Sequence, residues 1–521
     1  MPAKSKFRAI SRRDMFRTGS ALAAGFAAGT PAGAATTNMP GPEIYTHIGV
    51  RPFINCTATL TINGGSLMLQ EVIAAVDQAS HYHVNLDELM DKVSARLAEL
   101  LQVEWGIVTA GAAAALTHAT AGVLAGADPE KIQRLPNLQG LKDEAIIPRE
   151  SRNQYDHAVR TLGLKVIEVN SVADVEAAIG EHTAIIYLLG EYFGTAKLDL
   201  KEVAPLARKA GVPILVDAAA DYLIVPNPYL AQGASLVAYS GGKILRGPQN
   251  AGLLVGRKDL VEAAWANSAP HHSFGRGLKV AKEQIMGMLR AVEVWRTERD
   301  VQADFREWES WFREMSAEVT QVPGVKAELK GAARGGPFPT LSVSWDQSKV
   351  GITAHDVGHA LLEGEPRIMT HAAGEGSSFM IRPVAMKPGE YKIVARRLRE
   401  VLSGASHEAV THKQPAPPSA KVAGVWDVEL RYQVGTSRHK LFLNSSGNSV
   451  SGSHEGWAYQ GDLKGEIDGD RVRLHSSLPA DGNVLSYTFK GSISGDTMSG
   501  DVDLGEYGKA TFQARRHGSR A

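Results

Sequence analysis

Lys243 closes the run Tyr239-Ser240-Gly241-Gly242-Lys243, which continues as Ile244-Leu245-Arg246-Gly247-Pro248-Gln249-Asn250. Twenty-six residues upstream, the apolar run Val212-Pro213-Ile214-Leu215-Val216 ends in the carboxylate of Asp217. Glycines permit a tight turn and leave room for a flat ring beside the lysine. A lysine amine in that setting can form a Schiff base with an aldehyde, and a buried aspartate can pair with a pyridinium nitrogen. Together these parts fit pyridoxal 5'-phosphate (PLP). A lone Ser-Gly-Gly-Lys would suit a surface lysine after a turn equally well; the strand-borne Asp217 tips the balance.

The text around these residues alternates between short apolar strands and helical stretches. Helix-period segments run from Gln70 to Ser80 and from Leu86 to Leu101, the second with Leu89, Val93, Leu97 and Leu101 on one face. The strand Trp105 to Thr109 breaks at Gly111 into a run of alanines. A helix opening directly after a strand presents free N–H groups that bind phosphate without a charged side chain. Small residues there also serve helix–sheet packing, so this motif gains its weight from Asp217 and Lys243. Further strands are expected at 145–147, 166–169, 184–188, 214–216, 237–239 and 252–256. That grammar predicts a mostly parallel sheet covered on both faces, with ligands at the carboxyl ends of its strands. Thr109, Asp217 and Ser240 all stand at such ends. No G-x-G-x-x-G occurs, so nothing supports a dinucleotide fold.

A long helical stretch from Val280 to Glu318 should lead into a smaller lobe, with strands at Leu341–Trp345 and Ser378–Arg382 and a closing helix from Gly389 to Leu402. The domain boundaries read as 45–300 for the cofactor domain, 301–405 for the small lobe and 406–420 for a Pro-rich linker. Residues 421–517 then carry about eight short strands between turns such as Asp468-Gly469-Asp470 and Ala480-Asp481-Gly482-Asn483. They suggest an antiparallel barrel or sandwich, either an accessory module or a ligand-binding cup.

At 521 residues, with 44% apolar and 21% charged residues, the chain has the composition of a globular protein of two or three domains. Fifty-six basic residues balance 56 acidic ones, so no electrostatic footprint for nucleic acid exists. The single Cys56 excludes an internal disulfide. His355 and His359 have the helical spacing of a metal pair, but no third ligand stands near them, and no metal is expected. At the N-terminus, Ser11-Arg12-Arg13-Asp14-Met15-Phe16-Arg17 precedes a weakly apolar Ala21–Ala28 and the small-residue site Ala32-Gly33-Ala34. Residues 1–35 thus read as a twin-arginine export signal, which implies a soluble periplasmic protein. A short amphipathic or disordered tail is the alternative. No other stretch is apolar over the length of a membrane span.

Several blocks fit one known pattern. They include Asn55-Cys56-Thr57-Ala58-Thr59-Leu60-Thr61, Gly64-Gly65-Ser66-Leu67-Met68, Arg152-Asn153-Gln154-Tyr155-Asp156-His157-Ala158, Val216-Asp217-Ala218-Ala219-Ala220 and Ser240-Gly241-Gly242-Lys243 with its Arg246-Gly247-Pro248-Gln249 tail. Over roughly residues 45–405 the chain resembles the selenium-transferase-like branch of fold-type-I PLP enzymes, which includes L-seryl-tRNA(Sec) selenium transferase and D-glucosaminate-6-phosphate ammonia-lyase. The resemblance implies Lys243 as the Schiff-base lysine and proton shuttle, and Asp217 as the partner of the ring nitrogen. It implies Gly111, Ala112 and Ser240 as the phosphate seat. It also implies a homodimer or higher homo-oligomer in which Arg246 to Gln249, Gly247 among them, reach the neighbouring cofactor. Arg382 becomes the candidate grip on a substrate carboxylate, or else an ordinary arginine at a strand end. One departure stands out: where this branch carries a ring-stacking histidine before Arg152-Asn153, the chain has Ser151, and Tyr155 is the candidate substitute.

These readings favour a PLP-dependent lyase acting on an amino acid or amino sugar acid. An aminotransferase or racemase could use the same parts. A cell-envelope binding protein that merely retains the cofactor is the alternative of another class. Neutral charge and export argue against a tRNA substrate.

Overall fold

The computed structural model describes residues 42–190, 198–331, 338–372, 376–404 and 415–518. The expected export signal, and the expected linker as far as residue 414, lie outside the described residues. Residues 42–52 carry one short helix, Glu43–Thr46, and are exposed throughout.

From Phe53 onward the main layer is a seven-stranded sheet. Its strands are β1 (Trp105–Thr109), β2 (Glu144–Pro148), β3 (Lys165–Val169), β4 (Thr183–Leu189), β5 (Ile214–Asp217), β6 (Leu236–Ser240) and β7 (Gly252–Gly256), in the order β1-β7-β6-β5-β4-β2-β3. Six strands run parallel and β7 runs against both neighbours. The reason is chain length: residues 241–251 between β6 and β7 are too few for a helical crossover, so the chain turns back beside itself. Helices cover the sheet, among them α1 (Gln70–Ser80), α2 (Leu86–Leu101), α3 (Ala112–Ala125) and α4 (Lys282–Thr297). The central strands are therefore sealed on both faces, and Ile185, Ile186, Ile214 and Leu215 are buried. Each such side chain contributes about 1.5–3 kcal/mol of hydrophobic stabilisation.

The helical stretch expected as one from Val280 to Glu318 is two helices, α4 and α5 (Val301–Val319). Asp300 divides them: its Oδ1 accepts from the N–H groups of Gln302 and Ala303 and so caps a new helix. The small lobe adds α6 (Ala354–Glu363), α7 (Glu390–Ser403) and an antiparallel sheet of β8 (Val325–Lys330), β9 (Thr340–Trp345) and β10 (Ser378–Ile381). The lead-in is stitched to this lobe, Ile54–Asn55 pairing with Ile368–Met369 and Thr57 bridging Arg382. One apolar core runs from Ile54 to Leu402, continuous across the boundary expected at residue 300.

The last hundred residues form a closed antiparallel barrel. Its strands are β11 (Gly424–Arg431), β12 (Thr436–Ser446), β13 (Ser449–Glu455), β14 (Gln460–Asp468), β15 (Arg471–Ala480), β16 (Asn483–Ser494), β17 (Thr497–Asp503) and β18 (Lys509–Arg516), with β18 pairing back onto β11. All eight strand positions expected from the alternating pattern are occupied. Trp426, Phe489 and Phe512 fill a core separate from the one that runs from Ile54 to Leu402. Residues expected to belong to the linker are pinned to this barrel, since Gly469 N–H donates to Ala416 O and Ser419 N–H to Gly469 O.

Candidate active site

Register brings the candidate residues to one edge. Asp217 ends β5 opposite Ala238, two residues before Ser240 ends β6, and Thr109 ends β1 at the same side. Beyond Thr109, Gly111 caps α3, whose first N–H groups have no partner within the helix. The N–H of Gly111 donates to Thr109 O, so Ala112 and the residues just after it present the N–H cluster and positive dipole end that a phosphate requires. The Ser-Gly-Gly-Lys turn follows β6 and is held from the lead-in: Ser66 N–H donates to Gly242 O and Gln249 Nε2 to Thr61 O. Arg246 Nε donates to Leu67 O. Within the single chain, Arg246 and Gln249 therefore brace the lysine turn. Gly247 closes that turn through its N–H to Gly241 O. The room expected for a ring at Gly242 is filled by Gln249, whose Cα lies 2.5 Å from where a Cβ would stand.

Lys243 and Asp217 interact electrostatically across this edge. Burial lowers the pKa of the Lys243 amine, while the charges of Asp217 and Asp221 partly oppose the shift. Among the described residues no group hydrogen-bonds its Nζ. Burial also raises the pKa of Asp217, which is 4% exposed, against the N–H of Ala219, the charge of Lys243 and the hydroxyl of Tyr187. Asp217 Oδ1 accepts from Ala219 N–H at 3.0 Å and Oδ2 from Tyr187 O–H at 3.0 Å. No arginine or lysine forms an ion pair with this buried carboxylate among the described residues. A buried carboxylate is suited to a cationic ring nitrogen, a half-buried amine to an aldehyde, and the α3 terminus to a phosphate. The residues present fit PLP.

Two contributors, Tyr187 and Asp221, escaped sequence reading. Tyr187 is fully buried in β4, and its hydroxyl accepts from Asn153 Nδ2 at 3.3 Å while donating to Asp217. A tyrosine inside the aliphatic run 184–188 was the available signal, because a buried phenol needs a partner. Asp221 accepts from Tyr229 O–H and adds a second carboxylate near Lys243. Ser151 is buried, its Oγ accepting from Leu189 N–H at 3.1 Å, so it ties a loop to the end of β4. Tyr155 has its side chain 48% exposed.

Arg382 has no side-chain hydrogen bond to this set among the described residues. Its backbone N–H donates to Cys56 O, and its charge helps to lower the pKa of His371, which burial lowers first. It hydrogen-bonds neither Lys243 nor Asp217.

A family model described as L-seryl-tRNA selenium transferase matches residues 159–305, the stretch that holds both Asp217 and Lys243. The chain is 28% identical over 372 residues to 5'-C-glycyluridine monooxygenase-decarboxylase of a Streptomyces species, covering 69% of this chain and 92% of that protein. It is 26% identical over 378 residues to D-glucosaminate-6-phosphate ammonia lyase of Salmonella typhimurium, covering 70% of this chain and 99% of that protein. A solved structure of D-glucosaminate-6-phosphate ammonia-lyase superposes with a TM-score of 0.63 at 26% identity, covering 70% of this chain and all of that one. Fold and likenesses together define a PLP-dependent enzyme of fold type I with an added C-terminal barrel. Within that class it is of the lyase or transferase kind, and its likenesses support the selenium-transferase-like branch.

Proposed function

We propose that the protein is a PLP-dependent lyase acting on an amino acid or amino sugar acid, with Lys243 moving the proton at the substrate's α-carbon. The observation that carries this reading is the half-buried Lys243 amine, without a hydrogen bond among the described residues, beside the buried Asp217, which forms no ion pair among them. When bound, PLP supplies an electron sink for charge developing at that carbon. Lys243 holds the cofactor covalently and, its pKa lowered, accepts and returns a proton at Nζ. Asp217 keeps the proton on the ring nitrogen. Gly111, Ala112 and Ser240 seat the phosphate, and Arg382 grips the substrate carboxylate through its planar guanidinium. Likeness to the ammonia lyase over 99% of its length supports elimination over group exchange. The test is a substrate screen without added keto acid. Repeated release of ammonia and a keto acid establishes the lyase; a single turnover rescued by 2-oxoglutarate establishes an aminotransferase.

The likeness to the monooxygenase-decarboxylase favours a second reading, loss of the substrate carboxylate as carbon dioxide. Carbon dioxide release coupled to oxygen uptake in the same screen would select it. We also propose twin-arginine export to the periplasm, supported by the order of Arg12-Arg13, the apolar stretch and the small-residue site. Assembly as a homodimer is supported by the exposed Leu60, Ile62 and Leu67 on the segment that braces the lysine turn. Light scattering on the purified protein tests it.

A further inference from the structure

The barrel meets the PLP domain at a place that leads to the cofactor site. The turn between β15 and β16 is the two-residue pair Asp481-Gly482, both at positive φ, 45° and 81°. Such pairs make the tight hairpins whose twist matches antiparallel strands. Here the turn is pressed against another domain. Arg160 Nη2 donates to the backbone carbonyl of Asp481 at 3.1 Å. A Cβ on Gly482 would stand 2.8 Å from both Asn153 N and Asp156 Oδ2, and 2.9 Å from Asn153 O. Only a residue without a side chain lets this turn sit on that backbone.

The segment beneath is built around a carboxylate with no exposure at all. Asp156 accepts from Arg152 Nε at 2.6 Å and from Arg160 Nε at 2.7 Å. Arg160 thus holds the barrel turn with one nitrogen and Asp156 with another. Asn153 is fixed in the same cage. Its Oδ1 accepts from Tyr155 N–H at 2.7 Å, and its Nδ2 donates to Ser151 O at 2.9 Å and to Tyr187 Oη at 3.3 Å. Tyr187 in turn donates to Asp217. Five hydrogen bonds therefore connect the barrel turn to the carboxylate at the ring-nitrogen position: Arg160 to Asp481 O, Arg160 to Asp156, Asn153 N–H to Asp156, Asn153 Nδ2 to Tyr187, and Tyr187 to Asp217.

We propose that the Asp481–Gly482 turn is a positioning element of the active site: by clamping Asn153 and Arg160 it aims the Tyr187 hydroxyl at Asp217. The inference rests on the reading that Asp217 faces the cofactor nitrogen. It gives the barrel a role in the chemistry of the PLP domain that needs no ligand of its own. Gly482 is a positioning residue, since it touches neither cofactor nor substrate.

The test uses the full-length protein carrying Gly482→Ala. In the cofactor-free form, amide hydrogen exchange of residues 152–160 should accelerate while the far-ultraviolet circular dichroism stays unchanged. Affinity for PLP, followed by its visible band, should weaken about fivefold to tenfold, the worth of one hydrogen bond of ordinary strength. Combined with Tyr187→Phe, the loss should be less than additive, because both changes act through the same hydroxyl. A folded Gly482→Ala protein with wild-type exchange and wild-type affinity overturns the proposal, as does full additivity. Should Gly482→Ala fail to fold, Arg160→Leu loosens the same clamp from the other side and is held to the same outcomes. Asp217→Asn separates the underlying reading: unchanged PLP affinity there overturns the assignment of Asp217, whatever exchange shows at residues 152–160.

Discussion

The hydroxyl of Tyr187 donates to Oδ2 of Asp217 across 3.0 Å, with both side chains buried. This bond steadies the carboxylate and lowers its pKa, against the larger upward effect of burial. Tyr187→Phe preserves the ring and removes the donor. The pKa of Asp217 should rise further, and the anion that holds the ring nitrogen should be less populated near neutral pH. Affinity for PLP should fall about fivefold to tenfold, corresponding to about 1 kcal/mol. Equilibrium titration of the cofactor-free protein measures it, and unchanged affinity would remove Tyr187 from the site.

Borohydride reduction of the loaded enzyme, followed by peptide mapping, should place the cofactor on Lys243. Its half-buried amine makes no hydrogen bond among the described residues, whereas Lys282 donates to Ala79 O and pairs with Glu283. A label on Lys279 or Lys282 would show the assignment to be wrong. Lys243→Ala should abolish turnover and still leave PLP binding through the phosphate seat.

Asp217→Asn should lower turnover by at least about a hundredfold, about 2.7 kcal/mol of transition-state stabilisation, because a neutral amide cannot hold a pyridinium proton. The amide oxygen can still accept from Ala219 N–H, and the amide nitrogen then faces Tyr187 Oη, an atom that can accept as well as donate, so the fold should survive. Steady-state kinetics with an unchanged circular dichroism spectrum check it. Near-wild-type turnover would count against the role given to this carboxylate.

What could be read in advance follows from the range of the forces involved. The placement of Asp217 and Lys243 at one sheet edge was legible because each closes a local signal, a strand end or a glycine turn, and so was the barrel, whose alternation repeats eight times. The antiparallel β7 was not, since direction depends on whether 11 residues suffice for a crossover. Asn153, Tyr187 and the Gly482 contact lay beyond reach for another reason. They join residues 34 and over 300 positions apart, and local periodicity carries no information about such pairs.

The export signal should be separable from the enzyme. Replacing Arg12 and Arg13 together by lysines should leave the precursor in the cytoplasm with its PLP bound, since twin-arginine export carries folded proteins. Fractionation followed by immunoblotting measures this. Periplasmic accumulation of the double variant at the wild-type level would exclude the route.

The barrel should be sensitive to acid. Its interior holds a hydrogen-bonded chain in which Ser437 Oγ meets His439 Nε2, His439 Nδ1 meets His454 Nε2, and His454 Nδ1 meets Ser476 Oγ. Tyr432 bonds Ser437, and the rings of Tyr487 and Phe489 pack against His454. Burial pushes the pKa of His439 down from 6.5 to about 4, and burial followed by the charge of His439 pushes that of His454 down to about 3. Both folded values lie below the unfolded one, so the unfolded chain binds more protons between them. The contribution of these histidines to stability is thus fully present above about pH 6.5 and is lost as pH falls toward 4. Thermal unfolding should show the barrel transition moving to lower temperature over that window. In His454→Gln the barrel transition should start lower and move less, since one of the two depressed groups is gone. A wild-type barrel transition that stays at one temperature from pH 7 to 4.5 would mean that these imidazoles already carry protons in the folded state, or that water reaches them.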